Sequence, residues 1–366
     1  MNDVTSHDAV LALKTAGYKP VSVQSINEGA NHFVFDAALA DSLRVIVKFA
    51  KIRAAELGLQ PQNTDTLFGG PLSPEREAYL FELAAGAGLP APKVYGVHED
   101  EIGRKFLVLQ KMPGVSHKEY LRRSGYSMAA FLDSVRALAR DFAKLHKAVA
   151  FRSFGDILGK NAINPAMTDN FADRFMDVCN MHLDRGERKS AFTPHERRYI
   201  HNALKARFDA SRPKLTVSAA TPTMVFTDLH GDNFFVDENG APSGYFDLES
   251  SQAAPAALEF YGFRFFVFNF FDHDAFLRAQ DAFFQTYEAS GGPYAPDDGF
   301  AVTDLLAACR LMELAQSYWG HADGIRDTWG AGMKDMLFQF LETGIIDYVK
   351  VCALFRMRDG QPDKAV

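Results

Sequence analysis

Residues 224–237 read Met-Val-Phe-Thr-Asp-Leu-His-Gly-Asp-Asn-Phe-Phe-Val-Asp, and residues 244–249 read Gly-Tyr-Phe-Asp-Leu-Glu. Two apolar runs in the first stretch enclose a polar loop, and a third apolar run in the second stretch ends in an acid. Between the stretches, Asp-Glu-Asn-Gly at 237–240 is a strong signal for a hairpin turn. The pattern predicts strand, loop, strand, turn, strand. This arrangement would place three polar side chains at the loop ends of one rigid hairpin: Asp228, Asn233 and Asp247.

The spacing of these three residues is typical of phosphoryl-transfer sites in kinases. A carboxylate at Asp228 can accept or orient the proton of an attacking hydroxyl group. The amide oxygen of Asn233 and the carboxylate of Asp247 are the hard oxygen ligands that Mg²⁺ requires. A β-hairpin with ordinary loop acids fits the same residues, because Asp and Asn also favour turns.

The segment resembles the catalytic and metal-binding loops of the aminoglycoside phosphotransferase and choline kinase-like family. That family usually shows His-Gly-Asp-Leu-His-x-x-Asn and, later, Ile-Asp-Trp/Phe-Glu. Phe226 and Thr227 stand where the family has His and Gly, and since that His usually supports the loop, the departure concerns loop rigidity. The His-Gly-Asp at 230–232 is a decoy, because a motif placed there would have no Asn at the required spacing. Six positions match the family pattern: Asp228, Leu229, His230, Asn233, Asp247 and Glu249.

The resemblance implies an α+β, two-lobed, protein-kinase-like fold. A small antiparallel-sheet N-lobe would comprise residues 1–111, and a larger, mainly helical C-lobe would comprise residues 112–366. The implied activity is that of a transferase that uses ATP and Mg²⁺ to phosphorylate a hydroxyl group of a small molecule. Asp228 would then be the catalytic group, with Asn233 and Asp247 as the metal ligands.

The N-terminal third contains three predicted strands, the last of which, Leu43-Arg-Val-Ile-Val-Lys-Phe, carries Lys48. In the family pattern, the turn between the first two strands covers the nucleotide phosphates. Gly29 permits close approach of the backbone to an anion, and Asn31 matches an Asn that often follows this Gly in the family. Taken alone, Gly29 fits an ordinary hairpin turn equally well, and Lys48 fits a solvated lysine at a strand edge.

Ser-Pro-Glu-Arg-Glu at 73–77 predicts the start of a helix. The resemblance implies that Glu77 holds Lys48 in place against the nucleotide phosphates. The alternative is a first-turn acid that stabilises the helix dipole, a role that suits Glu75 better.

The apolar run from Lys105 ends in Pro113-Gly114 and resembles the strand that enters the hinge between the lobes. Backbone groups of Gln110 and Met112 would contact the adenine there. A strand that simply ends in a turn would have the same sequence.

Helical periodicity dominates after Met128. His146, on the first of these helices, is interpreted as a packed residue, and residues 51–73 as an insertion or a mobile flap. Residues 157–191 are polar and mixed, without a predicted helix. The later predicted helices cover 194–210, 257–271, 274–289, 304–318 and 332–355.

The composition excludes several classes of function. The 366 residues are 47 % hydrophobic, which suits a large core, and the net charge of −7 implies no general affinity for nucleic acid. Three scattered cysteines indicate no metal cluster and no disulfide framework, consistent with a reducing cytoplasm. Residues 1–5 do not resemble a signal peptide, and the apolar run 260–271 is too short to span a bilayer. We therefore expect a cytoplasmic protein without membrane or nucleic-acid partners, and the sequence leaves its oligomeric state open.

Two other readings remain at this stage. Phe226, Thr227 and Glu259, which replaces a family Asp, favour a catalytically silent, kinase-like nucleotide-binding module. A protein kinase is disfavoured because the chain has neither a Gly-x-Gly-x-x-Gly loop nor an Ala-Pro-Glu segment after Asp247. The acceptor is open among aminoglycosides, choline or ethanolamine, homoserine, sugars and other hydroxylated metabolites.

Overall fold

The structure is a computed structural model that describes residues 4–28, 32–50, 67, 73–160, 162–163, 171–218, 221–296 and 298–358. An antiparallel sheet dominates the N-terminal part, and most helices lie in the C-terminal part. This confirms the predicted α+β, protein-kinase-like fold class.

The N-terminal part is a five-stranded antiparallel sheet flanked by two helices. Thr5 forms a reciprocal capping box with Asp8 at the start of the first helix, and Ser73 caps the second. The strand order is β1-β2-β3-β5-β4. The elements are α1 (Ser6–Thr15), β1 (Pro20–Glu28), β2 (His32–Leu39), β3 (Arg44–Ala50), α2 (Pro74–Gly86), β4 (Val94–Glu99) and β5 (Lys105–Gln110).

Alternation along β3 determines where its lysine lies. Val47 and Phe49 pack on the sheet face that α1 covers, in a small cluster that includes Leu13. Because successive side chains of a strand point to opposite faces, Lys48 lies on the other face, together with Ile46. The ion pair of Lys48 with Glu77 shows that α2 covers this face.

Within the ranges given above, seven short strands form two further sheets, with orders β11-β10-β6 and β8-β7-β12-β9. These strands are β6 (Val115–Ser116), β7 (Gly155–Gly159), β8 (Ala162–Ile163), β9 (Thr223–Val225), β10 (Phe234–Val236), β11 (Pro242–Tyr245) and β12 (Gln252–Ala254).

The prediction of a single three-stranded hairpin is therefore wrong in one respect. β10 and β11 pair as predicted, but β9 pairs with β12, with Val225 opposite Gln252. β10 cannot accept β9 because its other edge already pairs with β6. Asp228 thus follows a strand of one sheet, whereas Asn233 and Asp247 flank a hairpin of another.

Nine helices follow in the described part of the chain. They are α3 (His117–Arg123), α4 (Met128–Ala148), α5 (Phe171–Arg188), α6 (Pro194–Ser218), α7 (Ala256–Gly262), α8 (His273–Ala289), α9 (Ala301–Tyr318), α10 (Gly324–Thr343) and α11 (Tyr348–Arg358).

Three helix predictions were wrong. α5 was missed, although its buried face carries large apolar residues such as Phe175 and Leu183. The predicted helix 332–355 is two helices, because Gly344 adopts a left-handed conformation (φ 81°) that ends α10. The predicted helix 257–271 stops being α-helical after Gly262 and continues as a π-turn and a 3₁₀ turn.

One large hydrophobic cluster joins α2 and the inner sheet face to the C-terminal helices. His146 lies in this region, buried and hydrogen-bonded through Nδ1 to the Tyr287 hydroxyl at 2.9 Å, as expected for a packed histidine. Within the described residues, no helix combines the length and the apolar character needed to cross a membrane.

Candidate active site

The loop after β9 carries the predicted catalytic acid. Asn233 donates from its side-chain amide to the backbone oxygen of Asp228 at 2.9 Å, and its backbone N–H donates to the oxygen of His230 at 2.8 Å. These bonds close the loop on itself. The Asp228 side chain remains 34 % exposed, so its carboxylate is accessible to a bound molecule.

The β10–β11 hairpin places Asn233 next to the residues before Asp247. Phe234 is opposite Tyr245, and the Phe246 N–H donates to the Asn233 backbone oxygen at 2.9 Å. Asp247 then adopts a left-handed backbone conformation (φ 53°), which Asp tolerates better than most residues. The open end of one hairpin therefore carries both an amide and a carboxylate.

Lys48 joins this hairpin to the N-terminal sheet. Its Nζ lies 2.7 Å from Oε1 of Glu77 and 2.8 Å from Oδ1 of Asp247. Oε2 of Glu249 is farther away, at 3.6 Å. The predicted lysine, helix acid and hairpin acid thus meet at one point, although 199 positions separate Lys48 from Asp247.

The charges in this cluster shift one another's pKa values. Burial alone would lower the pKa of Lys48, but the surrounding carboxylates, of which Glu77 and Asp247 are closest, raise it above its ordinary value. Burial raises the pKa of Glu77, and Lys48 opposes that rise. Burial would also raise the pKa of Asp247, but the positive charge of Lys48 holds it below its ordinary value. The raised pKa of Lys48 keeps its ammonium group charged, and three carboxyl groups surround it.

Arg76 fastens α2 to the segment that follows the hairpin. Its guanidinium donates to three backbone oxygens, those of Ile157 (2.6 Å), Glu249 (2.5 Å) and Ser251 (2.7 Å). Arg76 is only 2 % exposed. A buried fork that satisfies three carbonyl groups fixes α2, and with it Glu77, relative to Asp247.

The residues that depart from the family motif make their own supporting contacts. The Thr227 hydroxyl donates to the backbone oxygen of Ser250 at 2.7 Å, which ties the Asp228 loop to the segment after Asp247. The Phe226 ring packs edge-on against Phe142. Both positions that depart from the family motif therefore connect the Asp228 loop to neighbouring segments.

Glu259 forms a buried hydrogen bond to the backbone of the same loop. Its Oε2 accepts the Phe226 N–H at 2.7 Å in a fully buried position. Burial raises the pKa of Glu259 well above its usual range, although the hydrogen bond from Phe226 opposes the rise. Glu259 therefore acts chiefly as a buried hydrogen-bond acceptor.

We expect Glu259→Gln to reduce the pH dependence of stability. Because the pKa of Glu259 is higher in the folded than in the unfolded state, the wild type loses stability as pH rises above the unfolded value near 4.5. Glutamine keeps the acceptor oxygen but does not titrate. As the pH rises from about 5 to about 8, the melting temperature should fall less for Glu259→Gln than for the wild type.

Glu259→Leu is the matched control, because it keeps a similar bulk but leaves the buried Phe226 N–H without its acceptor. It should lower the free energy of unfolding by about 1–3 kcal/mol. Equal pH slopes for the wild type and Glu259→Gln would contradict the raised pKa.

The predicted hinge lies against the hairpin. Gln110 ends β5, and its backbone N–H donates to the Lys93 backbone oxygen at 2.8 Å. A Cβ added at Gly244 would lie 2.9 Å from the Met112 Cβ, so the glycine permits this close approach. Among the described residues, the Met112 N–H has no hydrogen-bond partner. It is therefore available to a ligand.

Gly29 and Asn31 lie outside the described residues, as does most of the 51–73 segment. Their predicted roles therefore stay predictions. The other predicted site residues form two groups, connected through the β10–β11 hairpin. The first contains Lys48, Glu77, Asp247, Asn233 and Asp228, and the second contains Gln110 and Met112.

The sequence analysis missed Arg310, on α9, whose Nη2 lies 3.1 Å from Oδ1 of Asp228. A signal was present, since Arg310 and Glu313 are oppositely charged residues three positions apart on a mostly apolar helix.

His32, Glu77 and Glu249 place potential metal-ligand atoms within 4.8 Å of one another. Nζ of Lys48 already contacts both acids of this group, at 2.7 and 3.6 Å. The ammonium group opposes a second cation there, and it also contacts Oδ1 of Asp247 at 2.8 Å. The roles of Asn233 and Asp247 as metal ligands therefore stay predictions.

Residues 26–299 match the phosphotransferase enzyme family (APH). The chain belongs to this family. No curated protein sequence matches it. Membership agrees with the resemblance drawn from the Asp228, Asn233 and Asp247 motifs.

Solved structures of APH-family kinases share the fold. A thermostable mutant of aminoglycoside phosphotransferase APH(4)-Ia, in ternary complex with AMP-PNP and hygromycin B, is 13 % identical, with a TM-score of 0.60. That match covers 93 % of this chain and 100 % of the other. A putative fructosamine-3-kinase from Thermobifida fusca YX-ER1 is 15 % identical, with a TM-score of 0.60 and coverage of 96 % and 99 %. The GDP and kanamycin complex of APH(2")-IIia is 13 % identical, with a TM-score of 0.58 and coverage of 93 % and 100 %. At these identities the likeness establishes the fold.

Proposed function

We propose that this APH-family protein transfers the γ-phosphate of ATP to a hydroxyl group of a small molecule and requires Mg²⁺. The contact that carries the proposal is the double ion pair of Lys48, at 2.7 Å from Glu77 and 2.8 Å from Asp247. The pair with Glu77 corresponds to the lysine–glutamate ion pair that an active protein-kinase cleft requires. The contact with Asp247 brings the hairpin acid to the same point as that pair.

Asp228 is the proposed catalytic residue. The acceptor oxygen forms a bond to the γ-phosphorus while the bond from that phosphorus to the β,γ-bridging oxygen breaks, and ADP leaves. The acceptor proton passes to the Asp228 carboxylate, whose side chain is accessible. Positioning and charge neutralisation supply most of the rate enhancement in such reactions.

Asn233 and Asp247 are the proposed Mg²⁺ ligands. The Asn233 amide uses its N–H₂ group on the Asp228 backbone, which leaves the amide oxygen for a cation. Lys48 contacts only Oδ1 of Asp247. Hard oxygens at one hairpin end, beside an excess of carboxylates, fit Mg²⁺. When bound, the ion neutralises charge on the nucleotide phosphates.

The nucleotide would lie between the sheet and the hairpin. Lys48, held by Glu77, is the proposed phosphate clamp, and the backbone groups of Gln110 and Met112 are the proposed adenine contacts. The available Met112 N–H supports this assignment. Gly29 and Asn31 are proposed to cover the phosphates on the strength of the sequence resemblance alone.

The remaining assignments follow from the same arrangement. We infer lobes that divide after residue 111, because the N-terminal sheet ends at Gln110 and the next strand, β6, pairs with β10. The acceptor is inferred to be a hydroxylated small molecule. A cytoplasmic location is proposed because the three cysteines are buried and form no disulfide. Similar structures that hold hygromycin B or kanamycin support this acceptor class without identifying the acceptor.

The test is an ATP-consumption screen of the wild-type protein with Mg²⁺ against a library of hydroxyl- and amine-bearing metabolites, repeated with GTP. The proposal expects at least one acceptor whose phosphorylated product is found by mass spectrometry, and no turnover when EDTA removes the metal. Mg²⁺-dependent protection by ATP without transfer to any acceptor would support the silent nucleotide-binding module instead. If the protein shows neither ATP binding nor phosphate transfer, the proposal is wrong.

A further inference from the structure

Arg310 makes the one side-chain hydrogen bond to the Asp228 carboxylate in the described part of the chain. Its Nη2 lies 3.1 Å from Oδ1 of Asp228, and its Nη1 lies 3.0 Å from Oε2 of Glu313. The guanidinium also lies 5.5 Å from the centre of the Phe266 ring. Two carboxylates and a ring therefore fix its plane and position.

The surroundings distinguish Arg310 from a substrate-binding residue. Its side chain is only 11 % exposed, against 34 % for Asp228, so the guanidinium is largely buried whereas the carboxylate is partly open to solvent. Glu313, its second partner, is further held by the Ser317 hydroxyl at 3.0 Å. These three residues on α9 follow helical spacing along one side of a mostly buried helix.

Only one of the two carboxylate oxygens of Asp228 accepts a hydrogen bond from a described residue. Arg310 occupies Oδ1, whereas Oδ2 contacts no donor among the described residues. A carboxylate anchored through one oxygen cannot rotate freely, so its other oxygen keeps a fixed direction. A planar guanidinium restricts this rotation better than a flexible ammonium group does.

We propose that Arg310 is a positioning residue that holds Oδ1 of Asp228, so that Oδ2 faces the acceptor hydroxyl and receives its proton. This inference rests on the proposed function, because it gives Arg310 no role apart from Asp228. In the transfer step, Arg310 itself neither gains nor loses a proton.

The test measures phosphate transfer from MgATP to an acceptor found in the screen, together with phosphate release to water. Arg310→Met should lower kcat by about 10- to 100-fold, because a misplaced carboxylate costs rate. The KM for ATP should change by less than about twofold, since Asp228, Glu313 and Phe266, which Arg310 contacts, are not proposed to bind the nucleotide. Arg310→Lys, which keeps the charge, should recover part of the lost rate.

A double-mutant cycle tests whether Arg310 acts through Asp228. In an Asp228→Asn background, Arg310→Met should change the residual rate by less than about twofold. Arg264→Met is the structural control, because Arg264 pairs with Asp304 of the same helix at 2.5 Å and does not touch Asp228. It should lower the melting temperature but keep the wild-type kcat.

The outcomes separate the two proposals. If wild-type protein transfers phosphate and Arg310→Met and Arg310→Lys both keep the wild-type kcat, the positioning role is wrong and the proposed function stands. If Arg310→Met lowers the rate equally in the Asp228→Asn background, Arg310 does not act through Asp228. If wild-type protein neither transfers nor hydrolyses ATP, the proposed function fails, and the positioning role fails with it.

Discussion

Asp228→Asn is expected to lower the rate of phosphate transfer by about 10²- to 10⁴-fold, the usual contribution of a positioned general base. Asparagine has nearly the same shape and can still accept the bond from Arg310, but it lacks the charge that accepts a proton. The folded state should be little changed, since the Asp228 side chain is partly exposed. The measurement is initial rate at saturating MgATP and acceptor.

The binding control for this variant is the thermal shift produced by MgATP. The shift should stay close to that of the wild type, because the residues proposed to bind the nucleotide are intact.

Asp232→Asn is the matched control for the position of the catalytic acid in the loop. Asp232 is an exposed acid of the same loop, 3.8 Å from Lys118, and belongs to the decoy His-Gly-Asp sequence. Asp232→Asn should keep the rate within about twofold. Loss of activity in Asp232→Asn with retention in Asp228→Asn would show that the motif had been placed wrongly.

Asp247→Asn is expected to abolish the Mg²⁺-dependent part of ATP binding. The variant replaces a carboxylate ligand with a neutral amide, which binds a hard cation more weakly. Lys48 should stay in place, because it keeps its contacts with Glu77 and Glu249. The measurement is the shift in melting temperature caused by ATP with Mg²⁺ minus the shift with EDTA, which reports ligand binding to the folded state.

Asp237→Asn is the matched control, since this acid caps the turn at the opposite end of the same hairpin. Its Oδ1 accepts the backbone N–H groups of Asn239 (2.8 Å) and Ala241 (3.0 Å), bonds that an Asn oxygen can also accept. The Mg²⁺-dependent shift should persist in Asp237→Asn. An unchanged shift in Asp247→Asn would remove Asp247 from the metal site.

Local sequence patterns predicted the parts of the fold that depend on local physics. The turn at 237–240 formed, with Gly240 in a left-handed conformation, because Asp-x-Asn-Gly satisfies its backbone groups within five residues. The predicted break at Pro113 and Gly114 also formed, since β5 ends at Gln110 and β6 begins at Val115. The strand predicted to carry Lys48 formed as β3 (Arg44–Ala50). The prediction of one helix over 332–355 failed at its glycines. Gly332 lies inside α10, whereas Gly344 ends it, and only the tertiary context distinguishes the two positions.

The sequence by itself determined the family, the order of its motifs and the identities of the charged groups at Lys48, Glu77, Asp228 and Asp247. The tertiary structure alone decided that Arg310 contacts Asp228, that Thr227 binds the oxygen of Ser250, and that β9 and β10 belong to different sheets. The reason is physical. Arg310 and Asp228 are 82 positions apart, and no local propensity specifies a contact that forms only when a helix packs against a distant loop.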